Sequence, residues 1–132
     1  MRLVSIGAIV LPAVLLAACV TRPVLNVENA SVSGIASKPL TQDQVRGAIV
    51  TSAAALGWTV KDMGPGKLGA TFVYGHGGRN TAQIEIPYSA TSYSLLYSSS
   101  TELRAADGQI HKIYNEWIRA LTRTINAQLA SL

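Results

Sequence analysis

Few side chains in this sequence have the chemistry for nucleophilic or acid–base catalysis. The 132 residues include two histidines and a single cysteine. His111, a serine of the Ser98–Ser100 run and Asp107 have the functional groups of a hydrolase triad, in which histidine takes the proton of a serine nucleophile. No Gly-x-Ser-x-Gly turn surrounds these serines, so the pattern favours polar residues of a strand end and a turn. A hydrolase that uses His111 with a nearby Ser or Asp is an alternative hypothesis.

The histidines and the glycine-rich loop do not match the patterns of metal-binding or anion-binding sites. His76 and His111 are 35 residues apart, and neither has a further ligand at the spacing of a metal site. The loop Gly75–Asn80 is rich in glycine, but it matches neither the dinucleotide-binding nor the P-loop pattern, and no helix is predicted after it. We interpret this loop as a hairpin connection and predict no metal site.

The charge of the chain limits the classes of partner. Arg2 is the only charged residue among the first 18, so the remaining chain has ten basic and seven acidic residues and a net charge of +3. Such a mild charge, spread along the chain, does not require a nucleic-acid partner, although it does not exclude an anionic surface. We therefore predict no nucleic-acid partner.

The one cysteine follows a segment with the features of a signal peptide. Arg2 precedes the apolar stretch Leu3–Leu16, which at 14 residues is too short to cross a bilayer comfortably as a helix. The next residues, Leu16-Ala17-Ala18-Cys19, resemble the lipobox of bacterial lipoproteins, which has a branched aliphatic residue, two small residues and a cysteine. An ordinary secretory leader with a chance cysteine is the alternative.

The resemblance to a lipobox implies a covalent modification and a location. It implies cleavage between Ala18 and Cys19, a diacylglyceryl group on the Cys19 sulfur and an acyl group on its new amino group. Each buried methylene contributes about 0.8 kcal/mol, so two or three acyl chains hold a protein on a membrane durably. In the lipoprotein pattern an aspartate after the cysteine favours the inner membrane; here Val20 points to the periplasmic leaflet of the outer membrane. Apart from this lipid, no cofactor is expected.

Three segments are predicted: a cleaved signal peptide over 1–18, the lipidated cysteine and a tether over 19–40, and a globular domain over 41–132. The tether is rich in Ser, Val, Asn and Pro, and Val24–Val32 has enough β-branched residues for one extra edge strand. Its length allows a reach of roughly 65 Å when fully extended.

The globular domain is predicted to begin and end with a helix. Thr41 and Gln44 fit a capping box at the start of the first helix, and Gly57 is placed to end it. Apolar residues between Ile110 and Leu129 recur at helical spacing and predict the second helix.

Four strands are predicted between the helices from alternating apolar and polar residues: Trp58–Lys61, Leu68–Gly75, Thr81–Tyr88 and Ser92–Ser98. Their short connections favour an antiparallel meander. We predict an α+β fold, a two-layer sandwich of order α-β-β-β-β-α with both helices on one face of the sheet. The opposite face is the candidate binding surface, with Thr59, Lys61, Thr71, Val73, Gln83, Glu85, Ser94 and Leu96.

A second candidate site lies at the start of the last helix. His111 and Asn115 are one helical turn apart, and in a structural interpretation they bind the Asp107-Gly108 turn to the sheet. In a functional interpretation they line a recognition patch together with Arg104 and Tyr114. Trp58 and Trp117 are predicted to be core residues.

Several segments resemble a group of small, uncharacterised proteobacterial lipoproteins, and the resemblance covers about residues 41–129. The segments are Ala54–Trp58, Ile84–Tyr88, Tyr93–Ser100 and the helix start Ile110-His111 with Tyr114-Asn115 and Trp117. Members often have Asn-Leu where this chain has Glu102-Leu103. The family has no established activity, so the resemblance implies a lipoprotein with an α+β domain and no particular reaction.

These observations favour a non-enzymatic lipoprotein that binds an envelope protein or another envelope component. The hydrolase alternative requires a pocket that joins His111 to Ser98–Ser100. A third hypothesis, small-ligand binding between the helices and the sheet, requires an apolar cavity of roughly 300 Å³ or more.

Overall fold

The computed structural model describes residues 20–132. The predicted signal peptide, with Ala18, and the predicted lipidation residue, Cys19, lie outside the described residues. From residue 20 onward the elements are β1 (Thr21–Pro23), β2 (Val27–Ser31), α1 (Gln42–Ala55), β3 (Thr59–Asp62), β4 (Lys67–Tyr74), β5 (Asn80–Pro87), β6 (Ser92–Thr101), β7 (Gln109–His111) and α2 (Lys112–Ala130). The predicted α+β class is confirmed. Neither α1 nor α2 is long and apolar enough to cross a membrane, and this holds for residues 20–132.

An antiparallel sheet of five strands has the order β2-β6-β5-β4-β3. Strands β3 to β6 are neighbours in the chain and in the sheet, where Thr71 of β4 pairs with Gln83 of β5. The fifth strand, β2, lies within the segment for which the sequence predicts an extra edge strand, and it pairs with β6. The sequence did not predict the second sheet, a two-stranded ribbon of β1 and β7.

Residues 21–40 belong to the folded domain. Thr21 pairs with His111 in the β1–β7 ribbon, and the carbonyl of Val20 accepts a hydrogen bond from the Lys112 amide at 2.8 Å. Val32 is 1% exposed and Leu40 is 8% exposed, so both are core residues. The prediction of a tether over 19–40 is therefore wrong for its described part, because this segment supplies strand partners and core side chains.

The two helix ends predicted from capping residues are confirmed. The Gln44 amide donates to the Thr41 hydroxyl at 3.1 Å, and the Gln44 side chain accepts from the Thr41 amide at 2.9 Å, which completes the capping box. After α1, Gly57 has a φ of +90°, and the Trp58 amide donates to the Ala53 carbonyl at 2.9 Å. A left-handed glycine with this bond is a common helix ending.

One hydrophobic core joins the sheet to both helices. The Phe72 ring of β4 contacts the rings of Trp58 and Trp117, and the Tyr93 hydroxyl of β6 donates to Asn126 Oδ1 of α2 at 2.6 Å. The strands contribute alternate side chains and the helices contribute one stripe each: Leu68, Ala70, Ala82, Ile84, Ile86, Tyr93, Leu95, Val45, Ala48, Ile49, Ala53, Tyr114, Ile118, Leu121, Ile125 and Leu129.

Candidate functional site

His111 is the N-cap of α2. Its Nδ1 accepts a hydrogen bond from the Ile113 amide at 3.1 Å, and its backbone is extended, with φ −55° and ψ 133°. A neutral imidazole that accepts at Nδ1 has its proton on Nε2, so neither nitrogen has a free lone pair. General-base catalysis requires a free acceptor nitrogen within hydrogen-bond reach of the nucleophile. This arrangement suits a helix cap.

Two of the three serines near the end of β6, Ser99 and Ser100, have hydrogen-bond partners of their own. The Ser99 hydroxyl donates to Gln83 Oε1 at 2.8 Å, and the Ser100 and Tyr97 hydroxyls are 2.8 Å apart. In the part of the chain that the structure describes, no hydrogen bond joins His111 to a serine. The same residues contain no group of three or more His, Cys, Asp or Glu side chains that could hold a metal ion.

Asn115 binds the N-terminal segment to α2. Its Nδ2 donates to the Pro23 carbonyl at 2.9 Å, and its Oδ1 accepts from the Leu25 amide at 3.0 Å. The side chain is buried, with 4% exposure. The prediction that Asn115 binds the Asp107-Gly108 turn is wrong; the Gly108 carbonyl instead accepts from the Val24 amide at 2.9 Å. The true partners are 90 residues or more away in sequence, and no local pattern indicates such pairings.

Tyr114 is a core residue. Its ring meets that of Tyr97 edge-on, with centroids 5.5 Å apart. Burial, and then the neighbouring Tyr97 phenol, raise the pKa of the Tyr114 hydroxyl. That hydroxyl has no hydrogen-bond partner among residues 20–132. Arg104 is exposed and has a left-handed φ of +54°. The predicted recognition patch is therefore corrected, because Tyr114 and Asn115 are buried.

The outer face of the sheet, opposite the core, carries exposed polar side chains. Lys61 and Gln83 are exposed, and Thr71 is half-buried between them in adjacent strands. Lys67 Nζ and Glu85 Oε1 form a salt bridge of 2.9 Å on the same face. The structure thus brings polar groups from three strands, β3, β4 and β5, into one surface.

Ser94 does not belong to this accessible surface. Its side chain alternates with Tyr93 and Leu95, as predicted, but Ser94 is 7% exposed. The Asn29 amide donates to its hydroxyl at 2.9 Å, at a bulge of β2 where Asn29 has a φ of +52°. The bulge covers Ser94, so the prediction that Ser94 belongs to the binding surface is wrong.

A shallow groove of about 160 Å³ crosses the outer face. Its lining includes Lys61, Met63, Gly69, Gln83 and Ser98. A Cβ at Gly69 would lie 2.7 Å from the Met63 sulfur, so the missing side chain leaves room for Met63 to lie across the sheet. Met63 is 44% exposed. The sequence did not indicate this apolar residue beside the polar surface.

A row of aromatic rings extends from the core to the surface. Trp58, Phe72, Trp117 and Tyr74 contact one another in that order, with centroids 5.2, 4.8 and 5.4 Å apart. Trp58 is buried as predicted, whereas Tyr74 is 51% exposed. The apolar depression beside these rings has a volume of only about 90 Å³, too small for an ordinary organic ligand.

No protein-family model matches this chain, and a search of curated proteins found no match either. The resemblance to small proteobacterial lipoproteins therefore stays a prediction.

Proposed function

We propose that this protein is a lipid-anchored, non-enzymatic binding module of the bacterial cell envelope, held at the periplasmic leaflet of the outer membrane. In the proposed two-layer arrangement both helices cover the inner face of the sheet. The outer face is left for an envelope protein or another envelope component. The observation that carries this proposal is the exposed outer face of the sheet. The candidate catalytic histidine, His111, caps a helix instead of facing a nucleophile.

The composition of the outer face suits a protein partner. It combines the cation Lys61, the Lys67–Glu85 ion pair and polar uncharged side chains with two exposed apolar ones, Met63 and Val73. Val73 is 57% exposed and Met63 is 44% exposed. Protein interfaces typically surround an apolar centre with a polar rim.

The two alternative functions find less support in the geometry. A hydrolase needs a base, and both nitrogens of His111 are occupied when the imidazole is neutral. The small-ligand hypothesis needs an apolar cavity between the helices and the sheet, and the space between the sheet and α2 is filled by buried side chains such as Tyr93, Tyr114 and Ile118. We therefore favour a binding role.

The anchor is tested by metabolic labelling with palmitate in cells that express the full chain with its own leader. We expect label on the wild type and none on Cys19→Ser, and we expect the variant to leave the membrane fraction. Label retained on Cys19→Ser would contradict the anchor.

The binding surface is tested by photo-cross-linking in living cells. A photoreactive residue at Gln83 should give an adduct of defined mass with one envelope component. The matched control places the same residue at Ala54, which is exposed on α1, and should give none. Absence of any adduct from positions 61, 71 and 83, at normal protein abundance, would contradict a binding role for the outer face.

A further inference from the structure

A groove with a cationic lining lies between β1 and the first two turns of α2. Its volume is about 560 Å³; one side is formed by residues 22–25 and the other by Lys112, Asn115, Glu116 and Arg119. The charged lining residues from α2, Lys112, Glu116 and Arg119, are exposed, and their spacing places them on one helix face. With Arg22, the lining has three basic side chains and one acidic side chain, so an anion is the complementary ligand.

The predicted lipidation site lies beside this groove. The Val20 carbonyl is bound to the Lys112 amide at 2.8 Å, and Val20 directly follows Cys19. Consecutive Cα atoms are about 3.8 Å apart, so no tether separates the lipidated residue from the domain. Acyl chains on Cys19 would hold Lys112 and the groove within reach of the phospholipid headgroups, which lie directly outside the hydrocarbon layer.

We propose that this groove binds the headgroups of anionic phospholipids in the leaflet that holds the anchor, and so fixes the orientation of the domain on the membrane. The inference rests on the proposed function, because it needs the lipid on Cys19. Guanidinium and ammonium groups both bind phosphate. A basic side chain near an anionic membrane surface strengthens binding about fivefold. The acidic residues of the β6–β7 loop, Glu102 and Asp107, do not line the groove.

The test uses the acylated mature protein in vesicles of phosphatidylcholine with or without phosphatidylglycerol. Because Cys19 is the only native cysteine, an introduced cysteine is the only free thiol and can be labelled with a fluorophore. Gln109→Cys places the label on the β1–β7 ribbon, opposite Pro23 of the groove. Ala130→Cys places it at the far end of α2, about 27 Å away along the helix. Nitroxides on lipid headgroups quench a label that lies at the membrane surface.

We expect phosphatidylglycerol to increase quenching at position 109 and to leave position 130 unquenched. The double variant Lys112→Gln/Arg119→Gln should reduce the equilibrium constant for seating the groove on the membrane about 25-fold, at roughly fivefold for each charge. The matched control Lys38→Gln/Arg79→Gln removes two exposed cations outside the groove and should have little effect.

Three results would count against the inference, and they are distinguishable. Equal quenching at position 109 in both membranes, or equal effects of the two double variants, would overturn the groove as a headgroup site while the anchor stands. Mass spectrometry of the same sample reports acylation directly. An unmodified Cys19 would overturn the proposed function, and the groove inference with it.

Discussion

Replacing Asn115 with alanine tests whether the N-terminal segment is fixed to the domain. The side chain makes two hydrogen bonds, to the Pro23 carbonyl at 2.9 Å and from the Leu25 amide at 3.0 Å. Each such bond contributes about 1 kcal/mol, and leaving a buried partner unsatisfied costs a further 1–3 kcal/mol. Because the segment lies at the surface and can admit water once released, we expect the free energy of unfolding to fall by about 2–4 kcal/mol.

Urea unfolding followed by tryptophan fluorescence measures this change, and amide hydrogen exchange at Leu25 shows where it acts. The Leu25 amide should lose its protection in Asn115→Ala. The control is Asn80→Ala, which removes one exposed hydrogen bond to the Glu102 carbonyl; we expect a loss below about 1 kcal/mol and unchanged exchange at Leu25. A change under about 0.5 kcal/mol in Asn115→Ala, with Leu25 still protected, would refute the reasoning.

Three further predictions concern the cap, the buried phenols and the outer groove. In urea unfolding, His111→Ala should lower stability by about 1 kcal/mol, whereas His111→Asn, which can still cap the helix, should lower it much less. A large loss of stability in the asparagine variant would contradict a capping role for the imidazole. Burial raises the pKa of Tyr93 to about 12 and also raises that of Tyr114. The unfolded state therefore ionises first, and stability should be lost as pH rises from 10 to about 12. Tyr114→Phe should reduce this loss in a pH series of urea unfolding, and an unchanged loss would contradict a raised pKa of Tyr114. Gly69→Ala should change stability by less than about 1 kcal/mol, because flexible Met63 can move. The variant should nevertheless weaken photo-cross-linking from the outer face of the sheet. Unaffected cross-linking would show that the groove of the outer face is not part of the interface.

Local patterns were sufficient for most elements of the fold. The capping box involves residues only three apart, so Thr41 and Gln44 indicate the start of α1 directly. The alternation in β5 and the apolar stripe of α2 are each long enough to indicate one element and its buried face.

Local patterns could not predict the β1–β7 ribbon. Each of its strands has three residues, too few to show an alternating pattern, and the two strands are far apart in the sequence. Asn115 and Ser94 were misplaced for the same reason, because their burial depends on residues 23–29, which pack on the domain through long-range contacts.

The fixed N-terminal segment changes what an anchor on Cys19 would do. A free tether of about 20 residues would let the domain rotate and sample a reach of roughly 65 Å, so its surfaces would have no preferred direction. Here the Val20 carbonyl and the Asn115 side chain fix the chain to α2 immediately after the predicted anchor. A lipid on Cys19 would therefore hold the start of α2 at the membrane and restrict the directions in which the outer face of the sheet can meet a partner. Releasing the segment with Asn115→Ala should widen that range without removing the lipid, so cross-linking from Gln83 should weaken while palmitate labelling stays at the wild-type level.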